Sequence, residues 1–325
     1  MEPISMLDHI VGGKRAWVGA DIRDADWFFR LSEQGLLEIR AAVAKLRRDS
    51  LPIERLTPGH FDMPECRALM RSVRSALDEG VRFAVVDRLP LDELSDDEGR
   101  ALHWLLSSHI ARPVAQKLDG TMIYDVHDTG KKATPGSGVR PDKTNMEQLF
   151  HNDNSYNETQ PEYVGLLCIR PAKAGGINHV ISLYTVHNEL LRSHKRVLPR
   201  LYRPFWFDRQ GECLSGEPRV ISGPLLRYDG KLRARLGLHQ IKGGYELMNQ
   251  ALDEEGVDAI EALKNVLANT VLSFPFVFER GQLQYVNNRE LGHRRTGFED
   301  YEEPQRKRLL VRVWLRDSGQ AGYQG

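Results

Sequence analysis

His151 and Asp153, spaced as His-x-Asp in QLFHNDN, are answered 140 residues later by His293 in YVNNRELGHRR. Two imidazoles and one carboxylate form the ligand set of a mononuclear non-haem Fe(II) centre, whose remaining coordination positions stay open for a co-substrate and O2. On an extended segment the His-x-Asp spacing turns both side chains to one face, because strand side chains alternate with period two. The triplet by itself also reads as a surface histidine beside a turn aspartate, since the pattern is short.

Beyond His293 the chain runs RRTGFEDYEEPQRKRLLVRVWLRD, with Arg308 and Arg312 four positions apart in a Leu-, Val- and Trp-rich stretch that predicts a strand. Period two sends Arg308, Leu310 and Arg312 to one face and Leu309, Val311 and Val313 to the other. An interior arginine on a strand wants an anion, because the guanidinium fork binds a carboxylate bidentately and is seldom buried without one. Arg306, Lys307 and Arg316 make the neighbourhood basic, so a solvated arginine pair is the competing reading. Downstream of a candidate metal ligand, the anion site is favoured. Tyr124 and Asn154 stand near the His-x-Asp of the candidate site in sequence and either face a substrate or pack. His103, His109, His127, His187 and His239 are scattered and read as packed or surface imidazoles.

The elements that must position these residues fall into regions without repeats. To about residue 118 the chain is mainly helical. Ser32 is an N-cap before EQGLLEIRAAVAKLRRD, Pro64 opens PECRALMRSVRSALDEG, and Ser95 caps DDEGRALHWLLSSHIA. Between the last two, VRFAVVDRL reads as a buried strand ended by Pro90. From 119 to 317, MIYDVHD, YVGLLCIRPA, INHVISLY, PLLRY, VLSFPFVFERG and LQYVNN are strand-like and separated by Gly, Pro and Asn turns, which indicates a mainly β sandwich or barrel. Residues from about 243 to 269 carry helical periodicity and form a helical insertion on the outside. Asn287-Asn288 makes the turn before the distal histidine. The Gly-, Pro- and Lys-rich run from Thr129 to Met146 is longer than most loops in compact domains and is placed to cover a substrate as a lid.

Lys plus Arg equals Asp plus Glu, 45 each in 325 residues, so nothing suggests a nucleic-acid partner. No apolar run approaches the roughly 20 residues of a membrane span. Cys66, Cys168 and Cys213 form neither a disulfide framework nor a zinc motif, and their odd number fits a reducing compartment. With no apolar signal-peptide core at the N-terminus, the expected location is cytoplasmic. The expected partner is a small-molecule substrate, and homo-oligomerisation is left open.

The order His-x-Asp, then a Gly-Gly turn, then a distal His followed some fifteen positions later by Arg-x-x-x-Arg, resembles the Fe(II)/2-oxoglutarate-dependent dioxygenases of the taurine and 2,4-dichlorophenoxyacetate dioxygenase (TauD/TfdA) group, to which γ-butyrobetaine hydroxylase and clavaminate synthase-like enzymes are related. The matching text is QLFHNDNSYNETQPEYVGLLCIRPAKAGGINHVIS and GQLQYVNNRELGHRRTGFEDYEEPQRKRLLVRVWL, anchoring about 148 to 316.

The resemblance implies a double-stranded β-helix, or jelly roll, core with flanking helices in a single domain over 1–325. It implies His151, Asp153 and His293 as iron ligands and Arg308 as the partner of the distal carboxylate of 2-oxoglutarate. Asn178 stands where the family often has Thr or Ser as a second donor to that carboxylate; an amide NH2 still donates. Arg312 matches a position that contacts an anionic substrate in some members. The implied reaction uses Fe(II), 2-oxoglutarate and O2, releases succinate and CO2, and most commonly hydroxylates a small polar or anionic molecule. Asp153 argues against halogenation, which in such enzymes needs a small residue in place of the carboxylate ligand. The alternatives are a catalytically silent metal-binding sensor on the same fold, for which an arginine clamp would be superfluous, and a Zn(II) hydrolase, for which no general base is evident.

Overall fold

A computed structural model describes residues 5–131 and 140–324 of the chain. The three helices expected in the first region form where their caps dictate. Ser32 Oγ accepts from Gly35 N at 3.0 Å at the head of Glu33–Arg48, and Pro64 occupies the first turn of Pro64–Asp78. Ser95 and Glu98 exchange two bonds, 3.2 and 2.8 Å, at the head of Asp96–Ser107. Ile39, Val43, Met70, Leu77, Leu102 and Leu106 project from these helices onto Leu167, Val311, Val313 and Leu315 of a sheet.

That sheet runs Phe28–Arg30, Phe83–Asp87, Leu283–Asn287, Tyr163–Arg170 and Leu309–Arg316, with Arg112–Val114 and Ile123–Val126 both paired beyond the last. The helical N-terminal part therefore shares its strands with the rest of the chain. A second, four-stranded sheet has the order Ser273–Phe276, Asn178–Ser182, Leu291–Arg295, Gln148–His151. Val164, Cys168, Val180, Leu291, Leu310 and Trp314 fill the space between the sheets, the layered core of a jelly roll. Because helices cover one side of the larger sheet and the second sheet the other, all eight residues of Leu309–Arg316 are buried.

The helical stretch expected from about 243 to 269 consists of the end of Leu238–Leu247 and the whole of Glu254–Ala268; Asn249 adopts φ +51°, and Asp253 Oδ1 caps the second helix by accepting from Gly256 N at 2.8 Å. Two expectations are corrected. INHVISLY is extended only to Ser182, whose hydroxyl accepts from Thr185 N at 3.2 Å and starts the helix Leu183–Ser193. PLLRY divides between Val220–Pro224 and Leu226–Tyr228, which form small ribbons outside the two main sheets. The Gly-Gly turn requires its glycines: Gly175 has φ +74°, and a Cβ there would lie 2.5 Å from the Gly297 carbonyl oxygen.

The core of the expected lid, residues 132–139, lies outside the described residues. Its described flanks are tied down: Thr129 N and Oγ1 both donate to Lys143 O at 3.0 Å, and Arg140 pairs with Glu212. Among the described residues no helix is long and apolar enough to cross a membrane.

Candidate active site

The smaller sheet sets His151 directly opposite His293, as partners on the antiparallel strands Gln148–His151 and Leu291–Arg295, with ring centroids 4.2 Å apart. Asp153 follows just after the first strand ends, where the chain would be free to turn away. Two asparagines prevent that. Asn288 Oδ1 accepts from Asp153 N at 2.8 Å, and Asn288 Nδ2 donates to Asp153 O at 2.9 Å. Asn152 Nδ2 donates to the carbonyls of Asn288 and Leu291, 2.7 and 2.8 Å, while its Oδ1 accepts from Leu236 N at 2.8 Å.

As a result Asp153 Oδ1 lies 3.4 Å from His151 Nε2 and 3.5 Å from His293 Nε2, and the three residues' ligand atoms all fall within 4.8 Å of one another. Ligands about 2.1 Å from one ion and at angles between octahedral and tetrahedral lie roughly 3.0–3.5 Å apart, the separation of the carboxylate from each histidine, so the cluster suits a divalent metal. Hydrogen bonding has also oriented the donors. His151 Nδ1 is 2.8 Å from the Leu149 carbonyl, which can only accept, so Nε2 carries the lone pair, which accepts from Gln148 Nε2 at 3.0 Å beside the cluster. Asp153 Oδ2 accepts from Trp314 Nε1 at 2.7 Å and pairs with Arg312 Nη1 at 3.0 Å, leaving Oδ1 for the cluster. Burial alone would raise the Asp153 carboxyl, but Arg312 and then the two histidines outweigh it and hold it well below the usual carboxylate range. Burial, reinforced by the neighbouring His151, pushes His293 below the ordinary histidine value, toward the neutral form that ligates metal.

A narrow chamber leads inward from the cluster, walled by Asn178, Gln284, Arg295, Arg308 and Leu310. The alternation expected of the last strand holds: Arg308, Leu310 and Arg312 line this chamber, while Leu309, Val311 and Val313 face the helices. Arg308 is 4% exposed, its backbone N–H is taken by Asp300 Oδ1 at 2.7 Å, and its Nη1 has no partner among the described residues. Its guanidinium sits 4.9 Å from the centre of the Phe298 ring. Burial pulls its pKa down to about 10 against the opposing pull of Asp300, so it stays charged near neutrality. Such a cation is a receptor for a carboxylate. Arg295, at the end of Leu291–Arg295 in the other sheet, is also drawn down to about 10 by burial and by Arg308, and it holds the carbonyls of Thr144 and Met146.

On the other side of the cluster an outer cleft of about 290 Å³ opens, lined by Asp142, Gln148, Phe150, Tyr156, His239 and Trp314 among others. Three expected substrate contacts are placed differently from one another. Arg312 borders both spaces, but its Nε donates to Gln116 Oε1 at 2.7 Å and its Nη1 pairs with Asp153. Asn154 borders the cleft, with φ +56°; its Nδ2 donates to Thr159 O and its Oδ1 accepts from Asn157 Nδ2 at 2.7 Å, so its amide is committed to the turn. Tyr124 lines neither space. It is covered by Lys143, 4.2 Å from its ring centre, and by Arg312, at 4.9 Å, so its ring is a platform for cations and not a substrate wall.

The reading of sequence missed Trp314, Gln116, Gln148, Asn152, Asn288 and Asp142. Only Trp314 carried a usable signal: it continues the Arg308, Leu310, Arg312 alternation by one more step. His239, read there as packing or surface, is at the cleft.

Comparison with known proteins agrees with this geometry. A sequence model of the taurine catabolism dioxygenase TauD, TfdA family matches residues 52–314. The chain is 26% identical over 322 residues to FR-33289 synthase of Streptomyces rubellomurinus, covering 96% of this chain and 92% of that one. It is 26% identical over 311 residues to the taurine hydroxylase-like protein SAT17 of Stachybotrys chartarum, covering 93% and 78%. Among solved structures, asparagine oxygenase with Fe(II), 2S,3S-3-hydroxyasparagine and succinate superposes with a TM-score of 0.64 at 20% identity, covering 89% of this chain and 93% of that one. The non-haem iron oxygenase OrfP with iron, succinate and (3S)-hydroxy-L-Arg superposes at 0.65 with 14% identity, covering 90% and 94%. These structures share the fold. With most of its length matched by the family's sequence model, the chain belongs to the TauD, TfdA family and is a dioxygenase of the Fe(II)- and 2-oxoglutarate-dependent type.

Proposed function

We propose that His151, Asp153 and His293 hold Fe(II), that Arg308 with Asn178 binds the distal carboxylate of 2-oxoglutarate in the inner chamber, and that the enzyme hydroxylates a small polar molecule seated in the outer cleft. The observation that carries this reading is the pairing of a convergent three-donor cluster with a buried Arg308, whose Nη1 meets no partner among the described residues, on the wall of the same chamber. Fe(II) and 2-oxoglutarate, with O2, would supply oxidation of a substrate C–H bond to C–OH coupled to conversion of 2-oxoglutarate into succinate and CO2.

The chain's own residues account for the rest. Arg308 orients the co-substrate from its far end, converting an encounter of separate molecules into a fixed geometry. Trp314 and Arg312 keep Asp153 Oδ2 occupied, so the carboxylate offers one oxygen inward. Leu166, Val164 and Leu310 line the chamber with apolar surface and limit water there. Gln148, whose Nε2 is 3.0 Å from His151 Nε2, stands where the cleft meets the cluster and can hydrogen-bond an incoming group.

A silent metal-binding protein on this fold would leave Arg308 as an unpaired buried charge with no ligand to receive, which favours the enzyme. Anaerobic addition of Fe(II) and 2-oxoglutarate should produce the visible charge-transfer absorption of the chelated complex. Aerobic screening of amino acids, sulfonates, phosphonates and betaines should then find one that stimulates succinate release. Failure of 2-oxoglutarate to bind in a metal-dependent way would overturn the proposal.

A further inference from the structure

Asp142 borders both the inner chamber and the outer cleft, at the point where they meet beside the metal-ligand cluster. It is 7% exposed, and neither carboxylate oxygen has a hydrogen-bond partner among the described residues. A buried polar group is ordinarily hydrogen-bonded, and a buried carboxylate without donors is costly enough to require an explanation.

The cations around it do not supply one. Arg140 donates to Tyr156 Oη at 2.9 Å and pairs with Glu212. Lys143 donates to the Asp125 carbonyl at 2.5 Å with its ammonium over the Tyr124 ring. Arg312 comes nearest, with Nη2 3.6 Å from Asp142 Oδ2, but that is beyond hydrogen-bond length, and its other nitrogens are directed by Gln116 and Asp153. Arg140, Lys143, Arg295 and Arg312 thus act on Asp142 through space, but none of them hydrogen-bonds it, and its two oxygens stand at the cleft without a donor among the described residues.

We propose that Asp142 is the receptor for a cationic group of the prime substrate, an ammonium or similarly compact donor, so that the enzyme selects molecules carrying a protonated amine. This rests on the proposed function of the site and names its substrate class. The amine would replace the missing donors at Asp142, and Arg312 Nη2 beside it favours a zwitterion, whose anionic end is drawn to the guanidinium while its ammonium meets the carboxylate. Charge-assisted hydrogen bonds of this kind, in a site with limited water, give strong discrimination between ligands that have the donor and ligands that lack it.

The test uses holoenzyme with Fe(II) and 2-oxoglutarate without O2, titrated calorimetrically with three pairs that differ by one ammonium: asparagine against succinamate, taurine against ethanesulfonate, and 2-aminoethylphosphonate against ethylphosphonate. The expected result is that at least one ammonium-bearing member binds and its partner binds on the order of tenfold to hundredfold more weakly. Asp142→Asn should bring that ratio close to one, and Asp142→Glu should restore part of it. Equal affinity within every pair, no binding by any ammonium-bearing probe, or an unchanged ratio in Asp142→Asn would overturn the proposal. The charge-transfer absorption recorded before any probe is added separates the two readings. Its presence without discrimination between pairs removes Asp142 alone, whereas its absence with discrimination retained removes the iron and co-substrate assignment and leaves the ammonium site.

Discussion

Replacing Arg308 by Leu should move ligand-free stability and 2-oxoglutarate affinity in opposite directions. In the ligand-free protein the guanidinium is 4% exposed, Nη1 has no partner, and burial drags the pKa to about 10. Removing a buried charge that is hydrogen-bonded to no carboxylate among the described residues, and on which Asp300 acts only through space, relieves a desolvation cost, and Leu keeps apolar contact with Phe298, whose ring lies 4.9 Å from the guanidinium. The fold should therefore be as stable as wild type, or more so. Once a carboxylate is bound the balance reverses: losing one half of a desolvated ion pair costs roughly 3–5 kcal/mol, about a 10²- to 10⁴-fold loss in affinity. Thermal unfolding in the presence of Mn(II), without O2, reads both effects. Wild type at a hundred times its dissociation constant for 2-oxoglutarate should gain about 2.7 kcal/mol, a rise in Tm on the order of 5 °C. The Leu variant should show no rise. A variant that is markedly less stable without ligand yet retains the full ligand-induced shift would refute the reasoning, because Arg308 would then be a structural residue whose partner lies within the protein.

Three further outcomes follow from the same geometry. Trp314→Phe removes the indole donor from Asp153 Oδ2 and should weaken metal binding about 10- to 100-fold while preserving the fold; an unchanged Mn(II) titration would show that Arg312 alone orients the carboxylate. Because His293 is held below the ordinary histidine value, its neutral form should persist as pH falls through neutrality and give way only below about pH 6.5 in metal-free protein; an NMR titration of its ring centred above that value would contradict the sign of the shift. Burial pushes the thiols of Cys66 and Cys168 up to about 12, so in native protein a maleimide should label the partly exposed Cys213 and spare the other two, and labelling of Cys168 without unfolding would show that its strand opens.

Much of the site was legible because period two is strict. Once 309–316 reads as a strand, Arg308 and Arg312 must share a face, and they do. Caps were legible for the same local reason, as at Ser32 and Ser95. The residues that escaped are those whose roles are created by long-range closure. Asn288 reads locally as a turn former, yet it clamps Asp153, 135 positions away, from both sides of the peptide. Gln116 meets Arg312 across 196 positions. Neither pairing has a periodicity or a composition that a window of sequence could contain. The helix Leu183–Ser193 was missed for a different reason: its apolar run continues from a buried strand, and only the Ser182 cap marks the change.

The divergence of Arg308 from Arg312 shows how a strand turns spacing into function. Four residues advance about 13 Å along an extended chain. Arg308 therefore stands at the far end of the chamber, where Asp300 takes only its backbone N–H and the guanidinium is left for a ligand. Arg312 stands at the near end, cross-strand from Tyr124, where its guanidinium falls between Asp153 and Asp142. One side of it completes the anion that faces the metal cluster, and the other borders the cleft. A group that changes the charge balance at Asp142 must then act on Arg312 and, through it, on Asp153. On the proposed assignments, Arg312 joins substrate recognition at Asp142 to the carboxylate of the metal cluster.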